Sequence, residues 1–243
     1  NRFGEDKNFG FLFTGSYYNT NRGSDNSEFE YENTDFGYVP TNMEMRDYVV
    51  NRKRIGLSTT LDYKFNTNSQ IYLKGIYNQF DDSENRSRFR IKTDEDGYYS
   101  SNVVSEFWDY DDGEYANAVE LERELKDRYE SQQIYSIAFG GNHLLGNIDM
   151  DYQVAYSYAQ EEEPDRQDMT FVQEIDSLVW NRSDYDFPKF NFYSLDGNRN
   201  GTLNNGMAFN YNDYEFDELV REDNLTTDND ITSQINFEIP LEF

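Results

Sequence analysis

Arg54-Ile-Gly-Leu-Ser-Thr-Thr-Leu-Asp-Tyr-Lys-Phe65 is the stretch that decides the fold. Its odd positions are Ile55, Leu57, Thr59, Leu61, Tyr63 and Phe65; its even positions are Arg54, Gly56, Ser58, Thr60, Asp62 and Lys64. Alternation sustained over this length belongs to a β-strand, whose successive side chains point to opposite faces, and not to a helix. The large apolar residues share one face and the small or charged ones the other. Such a strand separates an oily phase from an aqueous one.

Outward from this stretch the pattern repeats. After Asn66-Thr67-Asn68-Ser69 it resumes with Ile71, Leu73, Gly75 and Tyr77 on one face. In 148–158, Ile148, Met150, Tyr152, Val154, Tyr156 and Tyr158 oppose Asp149, Asp151, Gln153, Ala155 and Ser157. The end of the chain carries Ile231, Ile235, Phe237, Ile239, Leu241 and Phe243 on one face, interrupted by Ser233. In all, 9–18, 54–65, 71–80, 134–144, 148–158 and 231–243 read as strands. Each is long enough for a tilted β-strand to cross a bilayer, which takes about 9–11 residues.

The connections alternate between short and long. Asn66 to Gln70 and Leu145-Gly146-Asn147 are tight turns, the second of a type that closes hairpins. The stretches 19–53, 81–133 and 159–230 are long and polar, with net charges of −3, −9 and −13. Nearly all of the chain's −27 therefore sits in these excursions. In an up-and-down meander, every short turn falls on one side and every long connection on the other. That asymmetry belongs to outer-membrane barrels, with short periplasmic turns and long extracellular loops. The expected fold is all-β: one unit over 1–243, an antiparallel up-and-down transmembrane β-barrel segment with long extracellular loops.

Within the excursions, Glu84 to Lys92 keeps alternating and reads as a strand continuing above the membrane, and Leu121 to Tyr129 as an extension of the fourth strand. Tyr211, Tyr214, Phe216 and Leu219 are expected in a short element folded over a loop.

Composition narrows the function. Apolar residues are 36% of the chain, and they include 21 Tyr and 19 Phe, too few aliphatics for an ordinary water-soluble core. Nucleic acid is excluded as a partner, because phosphate contacts need clustered positive charge. The absence of cysteine removes disulfides, thiol nucleophiles and thiolate metal sites. His143 is the only histidine, so no histidine zinc cluster can form; it is expected to face water near a tight turn. Carboxylate pairs such as Asp81-Asp82 and Glu161-Glu162-Glu163 are frequent by chance among 48 acids, and no enzyme activity is expected.

The stretches Lys126 to Gly141, Asp151 to Pro164 and Asn51 to Phe65, with Phe80-Asp81-Asp82 closing the next strand, resemble the barrel domain of TonB-dependent receptors of Gram-negative outer membranes. The resemblance rests on strand texture over most of the chain. It implies a barrel of twenty-two strands, a plug domain and a TonB-contacting segment, of which this chain would be an internal portion lacking the plug. It further implies outer-membrane lipid around the barrel and an imported small ligand such as a siderophore or carbohydrate. Energy would come from an inner-membrane TonB complex, acting through a plug that is not in this chain. The alternative is a secreted or surface-displayed β-sandwich that binds carbohydrate or calcium, with its apolar faces covered by a second sheet.

Candidate ligand contacts follow from residue type. Trp108, Tyr110, Trp180, Tyr185 and Phe187 are loop aromatics suited to stacking on sugars or chelates, and Arg86, Arg88 and Arg90 are a basic strip that an anionic cargo would need. Asp196, Asn198, Asn200 and Thr202 match the start of a calcium loop, with Gly201 at its sixth position. Met207 replaces the bidentate Glu at the twelfth, which favours an ordinary Asn/Gly turn. Tyr17, Tyr18, Tyr77, Tyr156 and Tyr158 lie toward the long-loop ends of their strands, where an interfacial girdle is expected.

Overall fold

The structure is a computed structural model that describes residues 2–34, 37–93, 98–100, 103–105, 107–109, 114–116, 119–181, 189–198 and 200–240. A short β1 (Arg2–Phe3) precedes three long strands, β2 (Phe9–Thr34), β3 (Gly37–Asn66) and β4 (Ser69–Thr93). The first excursion holds β5 (Tyr98–Ser100), β6 (Val103–Ser105), β7 (Phe107–Asp109) and β8 (Glu114–Ala116). Then come β9 (Val119–Leu145) and β10 (Ile148–Ile175). The second excursion holds β11 (Ser177–Asn181), β12 (Lys189–Leu195) and β13 (Gly201–Leu203), and β14 (Glu215–Glu238) closes the series.

The seven-stranded sheet has the order β1-β2-β3-β4-β9-β10-β14. Every neighbour is antiparallel, and the long strands follow one another in chain order. Five of the six expected spans fall inside long strands, and the sixth, 231–243, is strand as far as Glu238, with 241–243 outside the described residues. The tight turns are where the sequence puts them. Asn66 pairs with Ser69, and Leu145 pairs with Ile148 across Gly146-Asn147. Gly146 has φ +67°, the left-handed conformation that glycine adopts without a Cβ penalty.

The excursions differ from expectation: most of their length is strand. The long strands run 24 to 30 residues, roughly 80–100 Å at the usual rise and far beyond one membrane crossing. The extensions Glu84–Lys92 and Leu121–Tyr129 are strand as expected, and 19–34 and 37–53 form a hairpin where a loop was expected. Alternation carries on there with charged residues in place of apolar ones. Across β3–β4 and β4–β9, opposite charges such as Glu44 and Arg90 or Arg88 and Glu124 stand directly across the strand pair and hold the extensions together as apolar pairs do lower down.

β10 contains a bulge between Glu163 and Arg166, with Asp165 at φ +54° beside Pro164. The extra residue exchanges the faces of β10. Below it Tyr152 and Val154 pair with Gly141 and Phe139; above it Met169 and Phe171 pair with Leu125 and Arg123. The buried core lies at the far, extended end of the sheet. There Met43, Ile91, Val119, Leu121 and Ile175 of the long strands pack with Leu178, Phe192 and Ala208 of the second excursion. The segment holding Tyr211 and Tyr214 does fold over the sheet, as two short 3₁₀ turns at Met207–Phe209 and Tyr211–Asp213, whereas Phe216 and Leu219 belong to β14.

Candidate functional site

Register gathers most apolar residues of the six expected spans on one face, while Leu12, Ile76 and Ile134 fall on the other. Phe11, Leu61, Leu73, Phe139 and Val154 stand in one cross-strand row. Phe9, Tyr63, Ile71, Tyr152 and Ile235 form the row below, and Phe13, Ile137, Tyr156 and Ile231 belong to the row above. Leu57, Tyr77, Tyr135 and Tyr158 top the band with aromatic rings, where Tyr135 stacks on Tyr158 at 5.1 Å. From Met150 to Tyr158 the band spans roughly 27 Å along the strand. Among the described residues nothing covers it: Leu57 is 40%, Val154 51% and Ile137 50% exposed. His143 lies on this face at the tight-turn end, half-buried, with Nδ1 2.5 Å from Ser69 Oγ and its ring stacked on Tyr152.

The opposite face of the same sheet is ionic. Above the level of the apolar band, Arg52, Arg86, Arg88, Arg90, Lys92 and Arg128 interleave with Glu44, Asp82, Glu84, Glu120, Glu122 and Glu124. Arg88 Nη2 lies 2.5 Å from Glu124 Oε2 and its Nη1 3.4 Å from Glu44 Oε1; Arg86 also pairs with Glu124. Arg90 Nη1 is 3.2 Å and Lys92 Nζ 2.8 Å from Glu122. Arg52 Nε reaches Asp82 at 2.9 Å, and Arg128 Nη2 reaches Glu84 at 3.2 Å. Arg46 joins the lattice through Glu44 and, at 2.7 Å, Glu28. The guanidiniums of Arg86 and Arg88 are only 17% and 16% exposed, so these pairs are shielded by their neighbours.

The ionisation of the lattice follows from this packing. Burial acts to raise the Glu44 carboxyl, but the hydrogen bond from Arg46 and the charges of Arg88, Arg46 and Arg90 outweigh it, and its pKa lies below the ordinary carboxylate value. For Glu122 burial is likewise opposed by Lys92 and Arg90, again with a net lowering. Burial acts to lower Lys92, and its hydrogen bonds to Glu122 and Glu120 overcome that and raise it. Glu44, Glu122 and Lys92 are therefore held in their charged forms near neutrality, within a lattice whose cations and carboxylates are about equal in number.

A cavity of about 590 Å³ opens where the ionic face meets the level of the band's upper rim. Its lining includes Arg54, Gly56, Asn78, Phe80, Gln132 and Glu161. Arg54 lies 4.8 Å over the Phe80 ring, and Gln132 donates to Glu161 at 2.9 Å. Gly56 keeps this wall shallow, since a Cβ there would stand 2.8 Å from Ser16 Oγ. Aromatic, amide and carboxylate groups together suit a polar organic ligand.

The candidates named from sequence are dispersed. Arg86, Arg88 and Arg90 do align on one face as expected, but on strand β4 and neutralised by Glu124, Glu44 and Glu122; a free basic strip is corrected to a paired lattice. Trp180 lies in β11 and is 1% exposed, with its ring 6.3 Å from that of Tyr31; it packs the excursion and offers no open stacking surface. Trp108 falls within β7, while Tyr110, Tyr185 and Phe187 lie outside the described residues. The Asp196 carboxylate accepts from the backbone N–H of Asn198 at 2.9 Å and of Asn200 at 2.8 Å. These bonds, led by that from Asn200, lower its pKa. The segment closes the β12–β13 hairpin, in which Thr202 pairs with Ser194, and Asn200 donates its side-chain amide to Asp196. Among the described residues no group of three or more His, Cys, Asp or Glu is placed to hold a metal.

Sequence reading saw the cations of β4 but not their partners. The signal was present: Arg86-x-Arg88-x-Arg90-x-Lys92 is the mirror in charge of Glu120-x-Glu122-x-Glu124, and a hairpin register sets Arg88 opposite Glu124 and Arg90 opposite Glu122. Compared with known proteins, the chain matches no family model and no curated sequence.

Proposed function

We propose that this chain forms part of the wall of an outer-membrane β-barrel of the TonB-dependent receptor kind, which captures and imports a scarce ligand such as a siderophore or a carbohydrate. The observation that carries the reading is the opposition of the two faces. An uncovered aromatic and aliphatic band has the height of a bilayer core, small and polar residues such as Gly56, Ser58 and Thr60 lie behind it, and the ion-paired lattice occupies that second face above it. Lipid satisfies the band and water satisfies the lattice. In this reading the band faces outward, the lattice lines the lumen and its extracellular extension, and the cavity at Arg54 and Phe80 lies on the ligand's path.

Among the described residues β14 has one free edge, and β2 has one beyond its short pairing with β1, which fits the same account. A bilayer tolerates no unpaired strand edge, so further strands of the barrel would close the sheet. Passage would depend on a plug domain moved by the inner-membrane TonB complex. The β-sandwich alternative calls for an opposing layer over Leu57, Leu61, Met150 and Val154, and the exposure of Leu57 and Val154 speaks against it.

Fractionation of cells producing the protein tests the reading. The chain should sediment with outer membranes, resist salt extraction and dissolve in detergent. Recovery in plain buffer as a monodisperse species would falsify it.

A further inference from the structure

A second cavity, about 610 Å³, opens on the face that continues from the apolar band, and its lining also takes in Arg46, Arg88 and Glu124 of the lattice strands. It sits well above the band. Twelve residues of β3 separate Met45 in its wall from Leu57 at the band's upper rim, roughly 40 Å along the strand.

The wall is aromatic. Phe89, Phe171, Tyr211 and Tyr214 line the cavity with Met45 and Leu125. Arg123 braces it from behind. Its guanidinium carbon lies 4.9 Å from the Phe89 ring centre, 4.8 Å from that of Tyr211 and 5.3 Å from that of Tyr214, and Nη2 donates to Ala208 O at 2.9 Å. The Tyr214 hydroxyl donates to the same carbonyl at 3.0 Å. The 3₁₀ turns are thereby clamped to the sheet, and the Arg123 charge is spent on π faces and a carbonyl at the back of the cavity.

The rim is acidic. Asp25 and Asp47 stand directly opposite each other across β2 and β3, both line the cavity, and both are exposed. Like charges in that relation destabilise a strand pair. Neither has an ion pair or hydrogen bond among the described residues. On the opposite face Glu28 and Glu44 of the same ribbon meet Arg46, and by that contrast this pair lacks its counter-charge.

We infer that this cavity binds a small organic cation: a primary ammonium on an aromatic or aliphatic body, with the body against Phe89, Phe171 and Tyr211 and the ammonium between Asp25 and Asp47. Charge complementarity selects this class. The rim repels an anion, and a neutral apolar ligand gives up the contribution of the two carboxylates. The cavity lies off the face assigned above to the import path, so the site stands whether or not the transport reading does.

Titration of the detergent-solubilised protein with 2-phenylethylamine, 2-phenylethanol and phenylacetate, followed by calorimetry or ligand-observed NMR, tests the inference. The amine should bind with a Kd at or below about 1 mM, at least several-fold tighter than the alcohol, with phenylacetate weakest. D25N/D47N, changed only at exposed positions, should erase the preference for amine over alcohol. Tyr211→Ala, at an exposed ring, should weaken amine and alcohol alike. Equal binding of amine and alcohol, preference for phenylacetate, no binding of the amine, or amine binding unchanged in D25N/D47N would each overturn it.

Discussion

Arg88 and Glu124 stand directly opposite each other on β4 and β9, with Arg88 Nη2 2.5 Å from Glu124 Oε2, and Glu124 also accepts from Arg86. One carboxylate thus bridges two shielded guanidiniums. Glu124→Gln removes that shared charge, leaving Arg88 with Glu44 and Glu122 as its remaining carboxylates. We expect a loss of about 2 kcal/mol, between the 0–1 of exposed pairs and the 3–5 of buried ones. Urea unfolding in detergent measures it. The charge swap Arg88→Glu with Glu124→Arg should recover a substantial part of that loss, and a double-mutant cycle with no coupling contradicts the lattice.

The apolar band makes a prediction of opposite character. Val154 lies in the row with Phe139 and Leu73 and is 51% exposed. If lipid covers it, Val154→Arg costs about 2–4 kcal/mol, the value for a cation near the bilayer midplane on a barrel's outer face. Equilibrium folding into lipid vesicles, titrated with urea, checks this. A change within about 0.5 kcal/mol, as for an ordinary surface position, means that water is the neighbour.

Acid and base should weaken the lattice for separate reasons. Glu44 and Glu122 have lowered pKa values in the fold, so their contribution is fully present above the ordinary 4.5 and is lost as pH falls through the folded values. Lys92 is raised, so its contribution is fully present below 10.5 and is lost as pH rises through its folded value. Thermal melts should show a plateau between these limits and a decline on each side. Glu122→Gln should flatten the acid limb, and a melting temperature unchanged from about pH 5 to pH 3 argues against carboxylate pairing.

Tyr72 lies across Gly140, and a Cβ on Gly140 would stand 2.5 Å from the Tyr72 hydroxyl and 2.5 Å from the backbone oxygen of Tyr152. The hydroxyl is held there by a 3.1 Å hydrogen bond to Gln153. Gly140→Ala should cost about 1–3 kcal/mol by overpacking. Gly75→Ala is the control, since its Cβ would meet Thr59 at an ordinary 3.4 Å. Equal stability of the two variants in the same urea titration would show that Tyr72 is free to move aside.

The six long strands were legible in the sequence because their cause is local. Alternation at Arg54–Phe65 or Ile148–Tyr158 reports which face of a pleated chain each residue occupies, and Asn66–Ser69 and Gly146-Asn147 carry their own turn chemistry. The excursions were less legible. Charged alternation, as in Glu28–Glu32, looks like a solvated loop until a partner strand is set against it.

The chain's own letters therefore determined its period, its turns, and the separation of oil from charge within each strand. Only the tertiary structure decided which strand pairs with which and in what register. That pairing turned the cations of β4 into a neutral lattice and placed Asp25 opposite Asp47 with no cation between them. The bulge at Asp165 decided more: by exchanging the faces of β10 it put Phe171 on the face of Phe89, with Arg123 between them in the same cross-strand row, where unbroken alternation would have turned it to the other face. The physical reason is that a side chain's face is set by its two neighbours in sequence, whereas its partner is set by a register summed over the whole length of a strand.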